Sequence, residues 1–131
     1  MISAILLSAG LSKRFKHGNK LIHKYNRKEI IIYSLKNILK SKIAEIIIVT
    51  GKDHNKFKKI LPKNKKIKVI NNIKYKNGLS FSIKLGIKHI NLNSKGFFVC
   101  LGDMPFFTDS SYNKMIKHFD KSNEYPLVPF F

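Results

Sequence analysis

Two short segments carry the residues best suited to chemistry, and each directly follows a stretch predicted to be a strand. The first, residues 7–15, reads Leu-Ser-Ala-Gly-Leu-Ser-Lys-Arg-Phe, and Lys20 lies close behind it. The second, residues 101–105, reads Leu-Gly-Asp-Met-Pro. Cations and backbone N–H groups neutralise phosphate oxygens, and a carboxylate holds the Mg²⁺ that bridges them. The two segments together predict triphosphate chemistry.

The first segment has the features of a phosphate-binding loop. Gly10 permits a sharp turn after the strand and a close approach of the backbone to a phosphate. Ser12, Arg14 and Lys20 surround that turn. Arg14 can clamp two oxygens, and Lys20 can act as a point charge on a leaving pyrophosphate. The alternative is an ordinary turn with solvent-exposed cations. The segment is neither a Walker A loop nor a dinucleotide-binding fingerprint.

The second segment presents one carboxylate. Asp103 follows Gly102 at the predicted end of an apolar strand, where it is well placed to bind Mg²⁺ bridging phosphate oxygens. The alternative role is a turn or helix cap, which is common for aspartate. Because Asp109 is the better candidate for the N-cap of the following helix, we predict that Asp103 is a metal ligand.

A third segment, residues 71–83, joins a predicted strand to a predicted helix and is rich in amide and hydroxyl groups. Such groups can read a base or ribose edge, and the N-terminus of the helix favours an anion. The alternative is a polar loop in which Ser80 caps the helix. The five histidines show no metal-ligand spacing, so no zinc site is predicted.

Strand-like and helix-like stretches alternate along the chain. Strands are predicted at residues 3–8, 44–50, 67–70 and 96–101, and a further strand is predicted to begin at Leu127 and Val128. Helices are predicted at residues 29–39, 53–61, 79–90 and 109–119. Asp53 is the predicted N-cap of the second helix, and the third carries Leu79, Ile83, Ile87 and Ile90 on one face. This order predicts an α/β fold with a mostly parallel sheet covered on both faces. Ligands bind at the carboxyl ends of the strands in such sheets, where all three polar segments fall.

Composition narrows the class of protein. A chain of 131 residues suits one domain, residues 1–131, and no apolar stretch is long enough to span a membrane. The net charge of +19 invites a nucleic-acid interpretation, but only Arg14 and Arg27 are arginine, the residue that grips guanine and phosphate bidentately. A solvated surface is therefore favoured for the basic stretch at residues 56–68. The lone Cys100 fits a reducing cytoplasm and a small buried hydrophobe.

At these segments the chain resembles the molybdenum cofactor cytidylyltransferase-like family, the MobA-like NTP transferases. Residues 7–15 with Lys20 match its opening signature, and the Leu-Gly-Asp-Met-Pro signature is intact at residues 101–105. Two departures are conservative: Ser8 replaces the usual alanine and Leu79 the usual methionine. Residues 16–18 depart from the usual glycine-rich link to the lysine. The middle signature is matched by Asn72, Tyr75, Gly78, Leu79, Ser82, Ile83 and Gly86.

The resemblance implies a Rossmann-like three-layer α/β/α sandwich of the nucleotide-diphospho-sugar transferase type. It implies a Mg²⁺-dependent nucleotidyltransferase that uses a nucleoside triphosphate, with CTP favoured, and a phosphate-bearing acceptor such as molybdopterin cofactor. A client molybdoenzyme or a chaperone is a further expected partner. The implied catalytic residues are Arg14, Lys20 and Asp103, with Asp103 also the metal ligand; the implied nucleotide-binding residues are Leu7, Ser8, Ala9, Gly10, Ser12, Asn72, Gly78 and Ser82.

The resemblance also implies a missing C-terminal part. Family members continue for roughly another third of a domain, a length within single-domain norms, and Val128-Pro129 resembles the start of that remainder. An apolar sheet edge is therefore expected to be uncovered. Three alternatives stay open: the same chemistry on a sugar phosphate or phosphocholine, a truncated remnant that binds nucleotide without turnover, and a basic nucleic-acid-binding module.

Overall fold

A computed structural model describes residues 1–9, 19–104 and 106–121. The strands are β1 (Ile2–Ser8), β2 (Lys24–Tyr25), β3 (Lys28–Glu29), β4 (Glu45–Thr50), β5 (Ile67–Asn71) and β6 (Gly96–Leu101). The helices are α1 (Ile30–Lys40), α2 (His54–Ile60), α3 (Leu79–Lys88) and α4 (Asp109–Lys121), with a 3₁₀ turn at Tyr75–Asn77. The expected start of a strand at Leu127 and Val128 lies outside the described residues.

The main sheet is parallel and has the strand order β5-β4-β1-β6. In its register Ile5 of β1 lies between Ile47 of β4 and Val99 of β6. Helices connect the strands, so all four carboxyl ends meet at one edge, as predicted. The α/β class with a parallel sheet is confirmed.

The two faces of the sheet pack against different helices. On one face, Leu6 and Ile48 pack with Leu35 of α1, Phe57 of α2 and Tyr112 of α4. On the other, a smaller apolar cluster joins β1 and β4 to α3 and the 3₁₀ turn; it contains Ile5, Leu7, Ala9, Ile47 and Val49, with Ile70, Tyr75, Ile83, Leu85 and Ile90 against it. The predicted three layers are therefore present. None of the described helices is both long and apolar enough to cross a bilayer.

Only part of the predicted apolar face of α3 contacts the sheet: Ile83 and Ile90 pack against it as predicted. Leu79 and Ile87 are exposed, whereas Ser82 and Gly86 are buried. A Cβ at Gly86 would lie 2.7 Å from Cγ2 of Ile5, so this glycine allows the helix to approach the sheet closely. The contact of α3 with the sheet thus combines the small residues Ser82 and Gly86 with large apolar ones such as Ile83.

The helix-capping predictions are confirmed for the position of Asp53 and wrong for Asp109. Asp53 occupies the N-cap position of α2 but has φ of 67° and makes no side-chain cap hydrogen bond. The N–H of Ser111 donates to Oγ1 of Thr108 at 3.3 Å, so Thr108 rather than Asp109 caps α4. Gly78, not Ser80, is the N-cap of α3.

Strand β6 is less buried than its apolar sequence predicted. Its residues alternate between covered and exposed, and Phe97, Val99 and Leu101 are each more than two-fifths exposed. These three lie level with Ser3, Ile5 and Leu7 of β1, on the face that α3 covers over β1 and β4 but leaves open over β6.

The β2–β3 hairpin was not predicted, because each of its strands is only two residues long and leaves no periodic pattern. Asn26 and Arg27 at its turn have φ of 49° and 71°, the geometry of the tight turns that suit hairpins. The hydroxyl of Tyr33 donates to the carbonyl of Tyr25 at 2.6 Å and fastens the hairpin to α1.

Candidate active site

Residues 7–9, the described part of the first polar segment, adjoin Gly102 and Asp103 of the second at the carboxyl edge of the sheet. Strands β1 and β6 are neighbours, and the N–H of Gly102 donates to the carbonyl of Leu7 at 3.2 Å. Asp103 therefore emerges beside the point where β1 passes into residues 10–18. The predicted Gly10, Ser12 and Arg14 fall among those residues and lie outside the described part of the chain.

Lys20 and Asp103, two of the three predicted catalytic residues, form an ion pair. Nζ of Lys20 lies 3.2 Å from Oδ2 of Asp103, and the side chains are 49% and 39% exposed. The N–H groups of Ile22 and His23 donate to the carbonyl of Asn19 and so fold the turn that carries Lys20. A cation and a carboxylate thus stand together at the solvent-facing edge, within reach of a ligand.

The turn and the Asp103 segment also pack together. A Cβ at Gly102 would lie 2.8 Å from Cδ1 of Leu21, so the side chain of Leu21 would have to shift to admit a larger residue at 102. The N–H of Ile31 donates to the carbonyl of Leu21 at 3.0 Å and joins the turn to α1. The contact between Leu21 and Gly102 and this backbone hydrogen bond therefore help to hold Lys20 near Asp103.

The donor chemistry of this edge fits a hard divalent cation. Within the described ranges, no three or more histidine, cysteine, aspartate or glutamate side chains cluster in a way that could hold a metal. A cation here would be bound by the carboxylate of Asp103 together with phosphate oxygens and water, which is how Mg²⁺ commonly binds. The partial exposure of Asp103 leaves room for those further ligands.

The side chains at the end of β1 face inwards. Leu7, Ser8 and Ala9 are all at most 5% exposed, and the hydroxyl of Ser8 donates to the carbonyl of Val49 at 2.8 Å. A nucleotide contact from these three residues would have to use backbone groups, as the sequence analysis expected. Their role in nucleotide binding stays a prediction.

Asn72 and Ser82 hydrogen-bond to each other. Nδ2 of Asn72 donates to Oγ of Ser82 at 2.9 Å, and the N–H of Lys74 donates to Oδ1 of Asn72 at 3.0 Å. The side chains of Asn72 and Ser82 are at most 2% exposed. Asn72 follows β5, which is two strand spacings, roughly 10 Å, from β1. The two residues shape the loop before α3, and a direct contact with nucleotide stays a prediction.

Gly78 has a conformational reason to be glycine. Its φ is 97°, a value that other residues rarely adopt, and a Cβ at this position would meet no heavy atom within 4 Å. The backbone therefore requires glycine here even though space is available. Nucleotide binding by Gly78 stays a prediction.

Ser34 was missed by the sequence analysis. Its hydroxyl donates to the carbonyl of Gly102 at 2.7 Å, and the N–H of Met104 donates to Ser34 Oγ at 3.0 Å. Ser34 is 2% exposed on the apolar face of α1, among Ile31 and Leu35. A polar residue on a helix face that is otherwise apolar was the available signal.

Cys100 is buried near the end of β6. Burial raises the pKa of its thiol to about 11, which outweighs the hydrogen bond from the hydroxyl of Tyr112 that would lower it. The thiol stays protonated near neutral pH and is a poor nucleophile. The prediction of a small buried hydrophobe is confirmed, because Cys100 is 2% exposed.

Comparison with known proteins relates this geometry to a family. The model of the MobA-like NTP transferase domain matches residues 4–130. A protein of Thermococcus sibiricus described as "Probable molybdenum cofactor guanylyltransferase" is 32% identical over 127 residues, which cover 95% of this chain and 60% of that protein. The chain thus spans about three fifths of the length of this relative.

Solved structures share the fold. A nucleotidyl transferase from Methanothermobacter superposes with a TM-score of 0.79 at 23% identity, over 90% of this chain and 57% of that one. The manganese complex of Rv0371c from Mycobacterium tuberculosis superposes with a TM-score of 0.73 at 15% identity, over 92% of this chain and 60% of that one. With a family model that matches nearly every residue, and with the ends of β1 and β6 and the Lys20–Asp103 pair at one edge of the sheet, this chain belongs to the MobA-like NTP transferase family.

Proposed function

We propose that the protein to which this chain belongs is a metal-dependent nucleotidyltransferase that moves a nucleoside monophosphate onto a phosphate-bearing acceptor. The observation that carries the proposal is the Lys20–Asp103 pair, 3.2 Å apart beside the end of β1. A carboxylate for a metal and a cation for phosphate oxygens are the minimum that this chemistry requires.

The reaction is an in-line substitution at phosphorus. An oxygen of the acceptor phosphate attacks the α-phosphorus, the bond to the bridging oxygen of the β-phosphate breaks, and pyrophosphate leaves. Lys20 stabilises the negative charge that develops on the leaving group, with Arg14 as a second cation in the proposal. The protein supplies positioning and charge rather than a covalent intermediate.

Asp103 would hold the divalent metal. When bound, such a cation neutralises the triphosphate and polarises the α-phosphate. Before substrate arrives, Lys20 balances the carboxylate of Asp103. Nucleotide phosphates would compete for Lys20, and the carboxylate would then bind the metal more tightly than it does without nucleotide. Mg²⁺ is the proposed ion, and a related fold has been solved with manganese.

GTP is the first nucleotide to test. The Thermococcus sibiricus relative, at 32% identity, is described as a guanylyltransferase, whereas the motif resemblance favoured CTP. We propose a molybdopterin-type acceptor because the same description names the molybdenum cofactor. A molybdoenzyme or a chaperone that receives the product would be the protein partner.

Pyrophosphate release tests the proposal directly. The full-length protein is incubated with Mg²⁺ or Mn²⁺, GTP or CTP, and molybdopterin cofactor, with phosphocholine and a sugar phosphate as other acceptors. We expect Asp103→Asn to lower acceptor-dependent release at least about 100-fold, because the metal loses a charged ligand. Asp120→Asn, on the exposed part of α4, is the matched control and should keep full activity.

Unchanged release by the Asp103 variant would rule out its metal role. Nucleotide binding without turnover in the unaltered protein would support the binding-remnant alternative. Binding to DNA or RNA that weakens steeply with salt and is not displaced by GTP or CTP would support the nucleic-acid alternative instead.

A further inference from the structure

The Asp103 segment is held from both sides by one hydroxyl of α1. Oγ of Ser34 donates to the carbonyl of Gly102 at 2.7 Å and accepts from the N–H of Met104 at 3.0 Å. A hydroxyl has one donor and two acceptor sites, so a single serine can serve both groups. The carbonyl of Gly102 and the N–H of Met104 flank Asp103. The backbone is therefore hydrogen-bonded to Ser34 on both sides of the residue that carries the carboxylate.

Water has little access to the backbone groups that the hydroxyl of Ser34 binds. Ser34 is 2% exposed and Gly102 is buried. A buried carbonyl left without its hydrogen-bond partner destabilises the conformation that contains it. If the hydroxyl of Ser34 were lost, the carbonyl of Gly102 would have no partner in its present position. The Asp103 segment would then shift so that this carbonyl could hydrogen-bond to water.

The position of Ser34 on α1 argues against a role in packing alone. Its neighbours on the buried face, Ile31, Leu35 and Ile38, are at most 1% exposed. An apolar residue would bury itself there without the cost of desolvating a hydroxyl. The hydroxyl is explained by the segment that it holds, 68 to 70 residues away in the chain.

We propose that Ser34 is a positioning residue that keeps the backbone of the Asp103 segment in the conformation that binds the divalent metal. The inference rests on the proposed function, in which Asp103 holds the metal. Ser34 fixes the peptide and leaves the carboxylate itself 39% exposed and able to reach a ligand. It acts only through Asp103.

The test measures Mn²⁺ binding to the full-length protein by the loss of the free-Mn²⁺ electron paramagnetic resonance signal, without nucleotide. Ser34→Val and Ser34→Thr have nearly the same shape and differ in the hydroxyl. Removing a group that orients a metal ligand commonly weakens affinity by about 10–100-fold. We expect a loss of that size in the valine variant and recovery to within about threefold in the threonine variant.

Ser41→Ala is the matched control. Ser41 is also a buried serine that follows α1, and its hydroxyl also donates to a carbonyl, that of Ile38, and accepts from the N–H of Ile43. It lies at the other end of α1, next to the amino ends of the strands. It should cost comparable stability and leave Mn²⁺ affinity unchanged.

Hydrogen exchange at the Met104 amide gives a second readout that needs no metal. We expect Ser34→Ala, which adds no atoms and should fold, to speed that exchange at least about tenfold, whereas Ser41→Ala should not. The inference would be overturned if Ser34→Val and Ser34→Ala both kept full Mn²⁺ affinity and slow exchange at the Met104 amide. Asp103→Asn separates the two proposals: if it retains Mn²⁺ affinity, the proposed function fails; if it loses affinity while Ser34→Val keeps it, only the role of Ser34 fails.

Discussion

Strands β4 and β6 are both six residues long and both largely apolar, yet they differ in burial. In β4 every residue from Ile46 to Thr50 is 0% exposed. In β6 the side chains alternate, and Phe97, Val99 and Leu101 are 43–45% exposed. β4 lies between β1 and β5 with helices on both faces, whereas β6 is the edge strand of the described sheet.

The difference shows that position in the sheet, not strand composition, sets how much an apolar residue contributes to stability. Hydrophobic stabilisation follows the area removed from water, and the same valine buries far more of its surface in β4 than in β6. The two strands also share one face through β1, since Val49 pairs with Leu7 and Val99 with Ile5. This allows the same substitution to be compared in both.

The largest expected effect is that of Val49→Ala measured against Val99→Ala in the 131-residue chain. Val49 is fully buried, and loss of two methyl groups into a cavity should cost about 2 kcal/mol. Val99 is 45% exposed, so its loss should cost less than about 1 kcal/mol. Urea unfolding measures both. Equal costs would mean that β6 is covered in solution.

Gly86→Ala should reduce the burial of β1 and β4 beneath α3, so that they become more exposed, as β6 is. The added Cβ would lie 2.7 Å from Cγ2 of the fully buried Ile5, so α3 would have to move away from the sheet. Overpacking of about 1–3 kcal/mol is offset by about 1 kcal/mol of helix propensity, which leaves a net loss of about 1 kcal/mol. Thermal unfolding measures it. Ser80→Ala, at an exposed position of α3, should be neutral or stabilising; stabilisation by both variants would refute close packing at Gly86.

The smallest expected effect is on the pH dependence of stability, through Glu45. In the sheet Ser3 of β1 lies between Glu45 of β4, which is buried, and Phe97 of β6, which is exposed. Burial would raise the pKa of Glu45, but hydrogen bonds from the N–H of Asn91, from Ser3 and from Lys68 outweigh it and lower the pKa below its ordinary value of 4.5. The ionised carboxylate therefore stabilises the folded state above about pH 4.5, and that contribution is lost as the pH falls through the lowered pKa.

Glu45→Gln should reduce stability at pH 7 by about 1 kcal/mol and flatten the decline in unfolding free energy below about pH 4.5. Urea unfolding at pH 7 and at steps down to pH 3 gives both quantities. Glu29→Gln, on the β2–β3 hairpin, is the control and should follow the unaltered protein. An acid decline equally steep in the Glu45 variant would contradict the assignment.

Much of the fold could be predicted because it depends on local pattern. Apolar runs and helical spacing predicted the ends of the four strands of the main sheet and of the four helices to within about two residues. The hairpin was missed because two-residue strands leave no periodic signal. The apolar spacing of α3 correctly placed Ile83 and Ile90 against the sheet. The exposure of Leu79 and Ile87 in α3, and of alternate residues in β6, could not be predicted from the helix or strand itself, because it depends on which neighbour covers each one.

The sequence by itself determined the alternation of strands and helices and the placement of three polar segments after strands, because hydrophobic periodicity and glycine punctuation act over a few residues. It thereby also determined that Lys20 and Asp103 belong to one edge of the sheet. The tertiary structure alone decided that they pair at 3.2 Å and that Ser34 fastens the Asp103 segment. Those contacts join residues about 70 to 83 positions apart, and only the packing of α1 and β6 against β1 brings them together.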